Sequence, residues 1–208
     1  MVELVETQIN TRPISTGSIN CWSSLSRPRL PAEHLAQTVL MASKVAVREA
    51  HADALTAIAS IYDHYVANTT ATFDLEPSPA SKWEALLAAA DAPDMPLLVV
   101  VVDDVVRGFA YAGPYRAKPA YAWTRETTIY LDPAEGGRGL GRMLYDDLLA
   151  RLRSAGVHLA VAVLAMPNES SERLHAACGF TRAGVLPQVG RKFDAWIDTA
   201  IWTLPLTP

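Results

Sequence analysis

Residues Glu126 to Leu152, ETTIYLDPAEGGRGLGRMLYDDLLARL, constrain the fold more than any other part of the chain. Thr127 to Leu131 combines β-branched and aromatic side chains, which suit a strand. Asp132-Pro133 ends it, because proline cannot donate to a ladder. Gly136, Gly137, Gly139 and Gly141 follow within six positions. Leu140, Met143, Leu144, Leu148, Leu149 and Leu152 then recur at helical spacing, so a helix starts at the glycines. A strand, a glycine loop and a helix in this order leave unpaired N–H groups and the positive end of the helix dipole at the loop. That combination favours a phosphate.

The loop by itself is either a tight strand-to-helix connection or an anion site. It is not a dinucleotide fingerprint, because Leu144 stands where the third glycine should be, and Arg142-Met143 replaces the lysine of a nucleoside triphosphate loop. What remains is Arg138-Gly139-Leu140-Gly141 with a carboxylate, Glu126, upstream on the strand. This arrangement resembles the pyrophosphate loop of the GCN5-related N-acetyltransferases (GNAT). Ile61–Pro77, Gly108–Pro133, Met166–Phe180 and Val189–Leu206 are similar, in the same order, to the phosphinothricin N-acetyltransferase branch of that family.

The rest of the chain is consistent with one domain. Its 208 residues carry a net charge of −4, which offers no support for nucleic-acid binding. Cys21 and Cys178 lie too far apart in sequence for a metal motif or a disulfide framework, and a reducing cytoplasm fits them. There is no run of about twenty apolar residues to span a membrane. Residues 1–43 are rich in serine and proline and are expected to form a flexible extension, although Pro31 to Ala42 can form a short helix. The acetyltransferase-like domain is expected over 44–208.

Within that domain the pattern predicts strands at Val45–Arg48, Leu97–Val102, Val105–Ala112, Thr127–Leu131, Val157–Leu164, Val189–Phe193 and Ala200–Leu204. Helices are predicted at Asp53–Ala67, Ser81–Ala90, the post-glycine segment and Ser170–Ala177. The order βααβββαβαββ gives an α/β fold, a mixed central sheet flanked by helices, which is the GNAT fold the resemblance implies.

The resemblance assigns roles. Acetyl-CoA would lay its pyrophosphate on Gly137, Arg138, Gly139, Leu140, Gly141 and Arg142, and its pantetheine beside Ile129, Tyr130 and Leu131. Asn168 would contact it too; read alone, Asn168 is equally a helix N-cap. Gly136 departs from the family, which often has Gln or Arg there. Glu126 matches the general base that takes a proton from the acceptor ammonium, since an α-amine with a pKa near 8 is largely protonated at neutral pH. Read alone, it is a solvated strand-end carboxylate. His175 stands where many relatives carry the tyrosine acid that protonates the departing thiolate; a lone histidine on a helix is also commonly structural. Phe73, Arg116, Lys118 and Tyr121 match positions around the acceptor, the two cations suiting a carboxylate or phosphinate. Relatives carry that basic pair in the opposite order, and both residues also read as plain surface charge.

No motif suggests a covalent nucleophile or a metal. The reading is therefore an acetyl-CoA-dependent N-acetyltransferase for the α-amine of a small amino acid of the phosphinothricin or methionine sulfoximine or sulfone type. The branch implies a homodimer, with the Trp196–Trp202 segment as a contact. The alternatives are a family member acting on another amine or a peptide N-terminus, and a CoA-binding sensor without catalysis.

Overall fold

The computed structural model describes residues 43–207. The expected N-terminal extension and its short helix lie outside the described residues.

Seven strands form one sheet in the order β1-β2-β3-β4-β5-β7-β6. They are β1 Val45–Glu49, β2 Leu97–Val102, β3 Val105–Pro114, β4 Thr124–Leu131, β5 Leu159–Ala165, β6 Thr181–Lys192 and β7 Ala195–Pro205. The helices are α1 Leu55–Asn68, α2 Ala80–Ala89, α3 Leu140–Ser154 and α4 Glu169–Ala177. The element order is the one read from the sequence. All neighbouring strands are antiparallel except β4 and β5. Among the described residues, no helix is long and apolar enough to cross a membrane.

β2 shows why the sheet lies between two layers. All six of its residues, LLVVVV, are buried. Successive side chains point to opposite faces. Leu98, Val100 and Val102 therefore pack with Leu144, Leu148 and Leu152 of α3. Leu97, Val99 and Val101 pack with Ile58, Ile61 and Tyr62 of α1 and with Trp83 of α2. An alternating strand could serve only one of these layers.

Three expectations are corrected here. Met143 is not inward but 43 % exposed, and Tyr145, fully buried, takes a core position on α3 instead. β6 begins at Thr181 rather than Val189. Gly184, Pro187 and Gly190 break its pattern, and its pairing with β7 slips at Arg182/Gly184 and again at Leu186/Gly190. Such bulges and prolines are tolerated on an edge strand, where half the backbone groups need no ladder partner. The β6–β7 turn falls at Phe193-Asp194, both at positive φ (51° and 57°), rather than at Trp196–Asp198, which belong to β7.

α3 is held by its apolar face, so its placement at the glycine loop depends on burial. Leu148 has no exposed surface. Leu148→Ala should lower unfolding stability by about 2–5 kcal/mol, the range for large-to-small core substitutions. Urea denaturation followed by circular dichroism measures it.

Candidate active site

β4 and β5 run parallel for only three residue pairs, Thr124↔Leu159, Arg125↔Ala160 and Glu126↔Val161. Beyond Glu126 they diverge, while β4 stays paired with β3 to Leu131 and β5 stays paired with β7 to Ala165. The facing edges of both strands are therefore open. A cleft of about 650 Å³ occupies the opening, walled by β4 on one side and by Ala162–Ala165 on the other. The glycine loop, Asn168 and His175 also line it. A larger groove of about 1760 Å³ is lined by α1, α2 and the end of α3, and holds no residue of the glycine loop. The cleft, not the groove, collects the residues with chemistry.

The glycine loop has the geometry an anion needs. Gly137 and Gly139 have φ of 77° and 79°, a region that L side chains rarely adopt. A Cβ on either would meet nothing within 4 Å, so here the backbone conformation, not crowding, calls for glycine. Gly139 caps α3, and the N–H groups of Leu140, Gly141 and Arg142 in the first turn have no intrahelical acceptor.

The two arginines of this loop are already engaged. Arg138 binds Glu135, a 6 % exposed carboxylate beneath the loop. Arg107 of β3 lies 3.4 Å from the same carboxylate and 2.9 Å from Asp132. Arg142 sits 2.8 Å from Asp146 and also donates to the Ala177 carbonyl. Arg138 does not line the cleft; the backbone of its neighbours does.

Asn168 is the N-cap that it reads as in the sequence, its Oδ1 accepting from Ser171 N at 3.2 Å, and it also faces the cleft. Among the described residues its amide nitrogen makes no hydrogen bond, which leaves two donors for a ligand.

Glu126 stands at the apex where the strands part. Burial raises its carboxyl pKa above the ordinary 4.5, and the charge of Arg116 partly opposes this. The side chain is thus partly withdrawn from water rather than a fully solvated strand end.

His175 is 2 % exposed. Burial lowers its pKa, and the Ser171 carbonyl at 2.7 Å accepts its Nδ1–H. Nε2 is then an acceptor, 2.8 Å from the Tyr145 hydroxyl. Thr127 Oγ1 lies 3.0 Å from that hydroxyl. With one proton per hydroxyl, a consistent neutral chain runs from Thr127 to Tyr145 to His175 to Ser171. Tyr145 and Thr127 were absent from the sequence-based site. Tyr145 is not among the apolar positions read for α3, and its pairing with Thr127 and His175 has no local signal in the sequence.

Of the expected acceptor residues, Phe73 lines the cleft, together with Tyr111 and Thr72. Arg116, Lys118 and Tyr121 do not; they sit on the exposed loop after β3. Arg116 lies over the rings of Tyr115 and Tyr121, 5.1 and 5.9 Å from their centroids.

Residues 58–180 match the Acetyltransferase (GNAT) family. The chain belongs to this family. A phosphinothricin N-acetyltransferase of Streptomyces coelicolor is 41% identical to it over 169 residues, covering 79% of this chain and 98% of that protein. An L-methionine sulfoximine/L-methionine sulfone acetyltransferase of Salmonella typhimurium is 36% identical, covering 72% and 88%. A solved phosphinothricin acetyltransferase of Sinorhizobium meliloti, in complex with acetyl-CoA, superposes with a TM-score of 0.74 at 31% identity, covering 77% and 88%. The GNAT member is thus a mixed α/β sandwich whose fold matches that of an acetyl-CoA-bound relative. Among the described residues, no group of three or more His, Cys, Asp or Glu could hold a metal.

The raised pKa of Glu126 has a consequence for stability. Its native state holds the proton more tightly than the unfolded chain, so ionising it costs stability as pH rises above the ordinary 4.5. Glu126→Gln should therefore unfold at a higher temperature than the parent at pH 7. The difference should vanish at lower pH, once the carboxyl is protonated in both states. Thermal melts at several pH values read it directly.

Proposed function

We propose that this GNAT protein transfers the acetyl group of acetyl-CoA to the α-amine of a small amino acid with a tetrahedral oxygenated side-chain group. Phosphinothricin and methionine sulfoximine or sulfone, the acceptors named for its relatives, are the chemistry we favour. One observation carries the reading: a desolvated carboxylate, Glu126, sits where two open strand edges meet, on the wall shared by the glycine loop and Phe73.

The residues fit the co-substrate. The open N–H groups of Gly137 to Arg142 would hold the pyrophosphate, and the free edge of Ile129 to Leu131 would pair with the amide-bearing arm. When bound there, acetyl-CoA supplies an activated thioester. Glu126 then takes the proton of the incoming ammonium, directly or through one water. An N–H of the splayed strand near Ile129 to Leu131 faces the carbonyl oxygen as charge develops on it. The departing thiolate takes the proton that the attacking nitrogen sheds as the intermediate collapses, while His175 and Tyr145, bonded to each other, hold the wall beside it. Arg116, whose charge acts on Glu126, and Lys118 on the same exposed loop would meet the acceptor's anionic groups as it enters. Arginine suits a planar carboxylate better than lysine does.

We also propose a homodimer. Val185, Leu186, Val189, Phe193 and Trp196 leave a large apolar surface exposed on β6 and β7, which is unusual for a monomer. Trp202, by contrast, is only 8 % exposed and belongs to the core. We further propose a cytoplasmic location, where acetyl-CoA is at hand.

Thiol release from acetyl-CoA, measured against free amino acids, phosphinothricin, methionine sulfoximine, polyamines and short peptides, tests the function. Turnover should be confined to the tetrahedral-oxygen amino acids, and Glu126→Gln should lower kcat by about 10²–10⁴-fold, the usual worth of a general base. Activity on peptides or polyamines alone would discard this acceptor class. Acetyl-CoA binding with no turnover would favour a sensor.

The pH profile gives a separate check. The base must be ionised, and its pKa lies above the ordinary 4.5. The acid limb of kcat/KM should therefore fall off at a higher pH than an unperturbed glutamate would give. His175→Phe should lower kcat and leave that acid limb in place.

A further inference from the structure

Glycine at position 190 is not explained by backbone conformation. Its φ lies outside the left-handed region, unlike Gly137 or Gly139. What demands glycine is Phe73. A Cβ on Gly190 would lie 2.6 Å from the Phe73 Cζ and 2.7 Å from Cδ2, and closer still to Cε2. Real Cβ atoms do not approach that closely. The obstructing atoms belong to the end of a side chain, so a larger residue would push the ring aside without displacing a backbone.

Two residues along β6, on the same face, Lys192 is 3 % exposed. Burying an ammonium is costly unless it is bonded. Its Nζ donates to the Thr72 carbonyl at 2.9 Å, across 120 residues of sequence. The preceding carbonyl, Ala71, accepts from the Tyr130 hydroxyl of β4 at 3.3 Å. β6 and β4 thus grip consecutive carbonyls of the loop between α1 and α2. The same loop is tied internally. The Thr72 hydroxyl lies 2.7 Å from Tyr62 Oη, and the Tyr62 hydroxyl donates to Asp74 at 2.8 Å. Lys82 pairs with Asp74 at 2.9 Å. The side chain these bonds present to the cleft is Phe73.

We infer that Gly190 and Lys192 are specificity-determining positions: β6 reaches over to the loop after α1 and fixes Phe73, and so sets the size of the acceptor pocket. Lys192 holds the loop backbone, and Gly190 gives the ring its seat. Neither residue lines the cleft. Both act through Phe73 and are positioning residues, not catalytic ones. The inference rests on the proposed acetyl transfer, since an acceptor pocket has meaning only there.

The test is a double-mutant cycle on the full chain, with Gly190→Ala, Phe73→Ala and the combined variant, and Lys192→Met alongside. Acceptor KM and acetyl-CoA KM are measured separately on the best amine of the panel. Gly190→Ala and Lys192→Met should each change acceptor KM by about tenfold or more, as displacement of one wall of a small pocket does. Acetyl-CoA KM should stay within about twofold, because the glycine loop lies elsewhere. The order of preference within the amine panel should change with Gly190→Ala. In the Phe73→Ala background, Gly190→Ala should have no further effect, because the ring it displaces is gone.

An additive effect in both backgrounds would overturn the inference. So would an unchanged acceptor KM in folded Gly190→Ala and Lys192→Met. If the parent acetylates some other amine, the acceptor proposed above fails and the cycle is read on that amine. If the parent turns over no amine at all, this inference falls together with that reading.

Discussion

The divergence of β4 and β5 after Glu126 is the constraint on which the rest of the molecule depends. A strand edge in a sheet centre normally has no choice but to pair. Here β4 is fully engaged by β3 on one side, and β5 by β7 on the other, so neither can swing to close the gap. The only parallel contact is the three-residue stretch ending at Glu126 and Val161. Below that point the sheet is continuous. Above it, two rows of backbone donors and acceptors face a cleft. A ligand with amides along its length would supply the missing partners, as the proposed function has the pantetheine arm of acetyl-CoA do. The side chain at the apex of the gap is the Glu126 carboxylate, which is why the proposed function puts the reacting carbonyl there.

The polar groups around the cleft are arranged to limit charge. Glu126 is partly withdrawn from water, and Arg116 acts on it only from an exposed loop, with no salt bridge between the two among the described residues. The buried polar groups around the cleft are neutral hydroxyls and an imidazole: Thr127, Tyr145 and His175. Each has a partner. A buried ionised group there would cost several kcal/mol, whereas a closed chain of neutral bonds costs little and fixes orientations. Burial raises the Tyr145 pKa, so its hydroxyl keeps its proton and remains a donor.

What could be read in the sequence follows from range. The glycine loop and α3 are local signals, written in consecutive residues, and the structure has them where they were expected. The β2–β3 hairpin around Asp103-Asp104 is equally local, and both aspartates adopt positive φ. β6 was half missed because its pairing to β7 is interrupted by bulges, which periodicity cannot anticipate. Met143 was taken for core because α3 was treated as uniformly apolar on one side, with no allowance for the opening at its N-terminus. Tyr145 was missed because a hydroxyl inside a leucine-rich stripe carries no local mark. Its role depends on Thr127 and His175, 18 and 30 residues away. The tie between Lys192 and Thr72 spans 120 residues and has no sequence pattern at all.

The loop charges follow a similar logic. Two arginines beside four glycines suggest direct cationic capture of a pyrophosphate. In the structure Arg138 is turned to the buried Glu135, and Arg142 to Asp146 and a carbonyl. Glu135 in turn draws in Arg107, which also holds Asp132 at the end of β4. The network thus braces the loop against β3 and β4, and its charges largely cancel. On the proposed function, anion binding would be left to the backbone N–H groups of the loop and the dipole of α3, whose geometry needs no side chain. Fixed dipoles need little reorganisation, and an arginine already bonded to a carboxylate would have to give up that bond to do the same work. Gly136, where relatives often carry a long polar side chain, fits this division: the loop contributes its backbone, and the side chains around it hold that backbone in place.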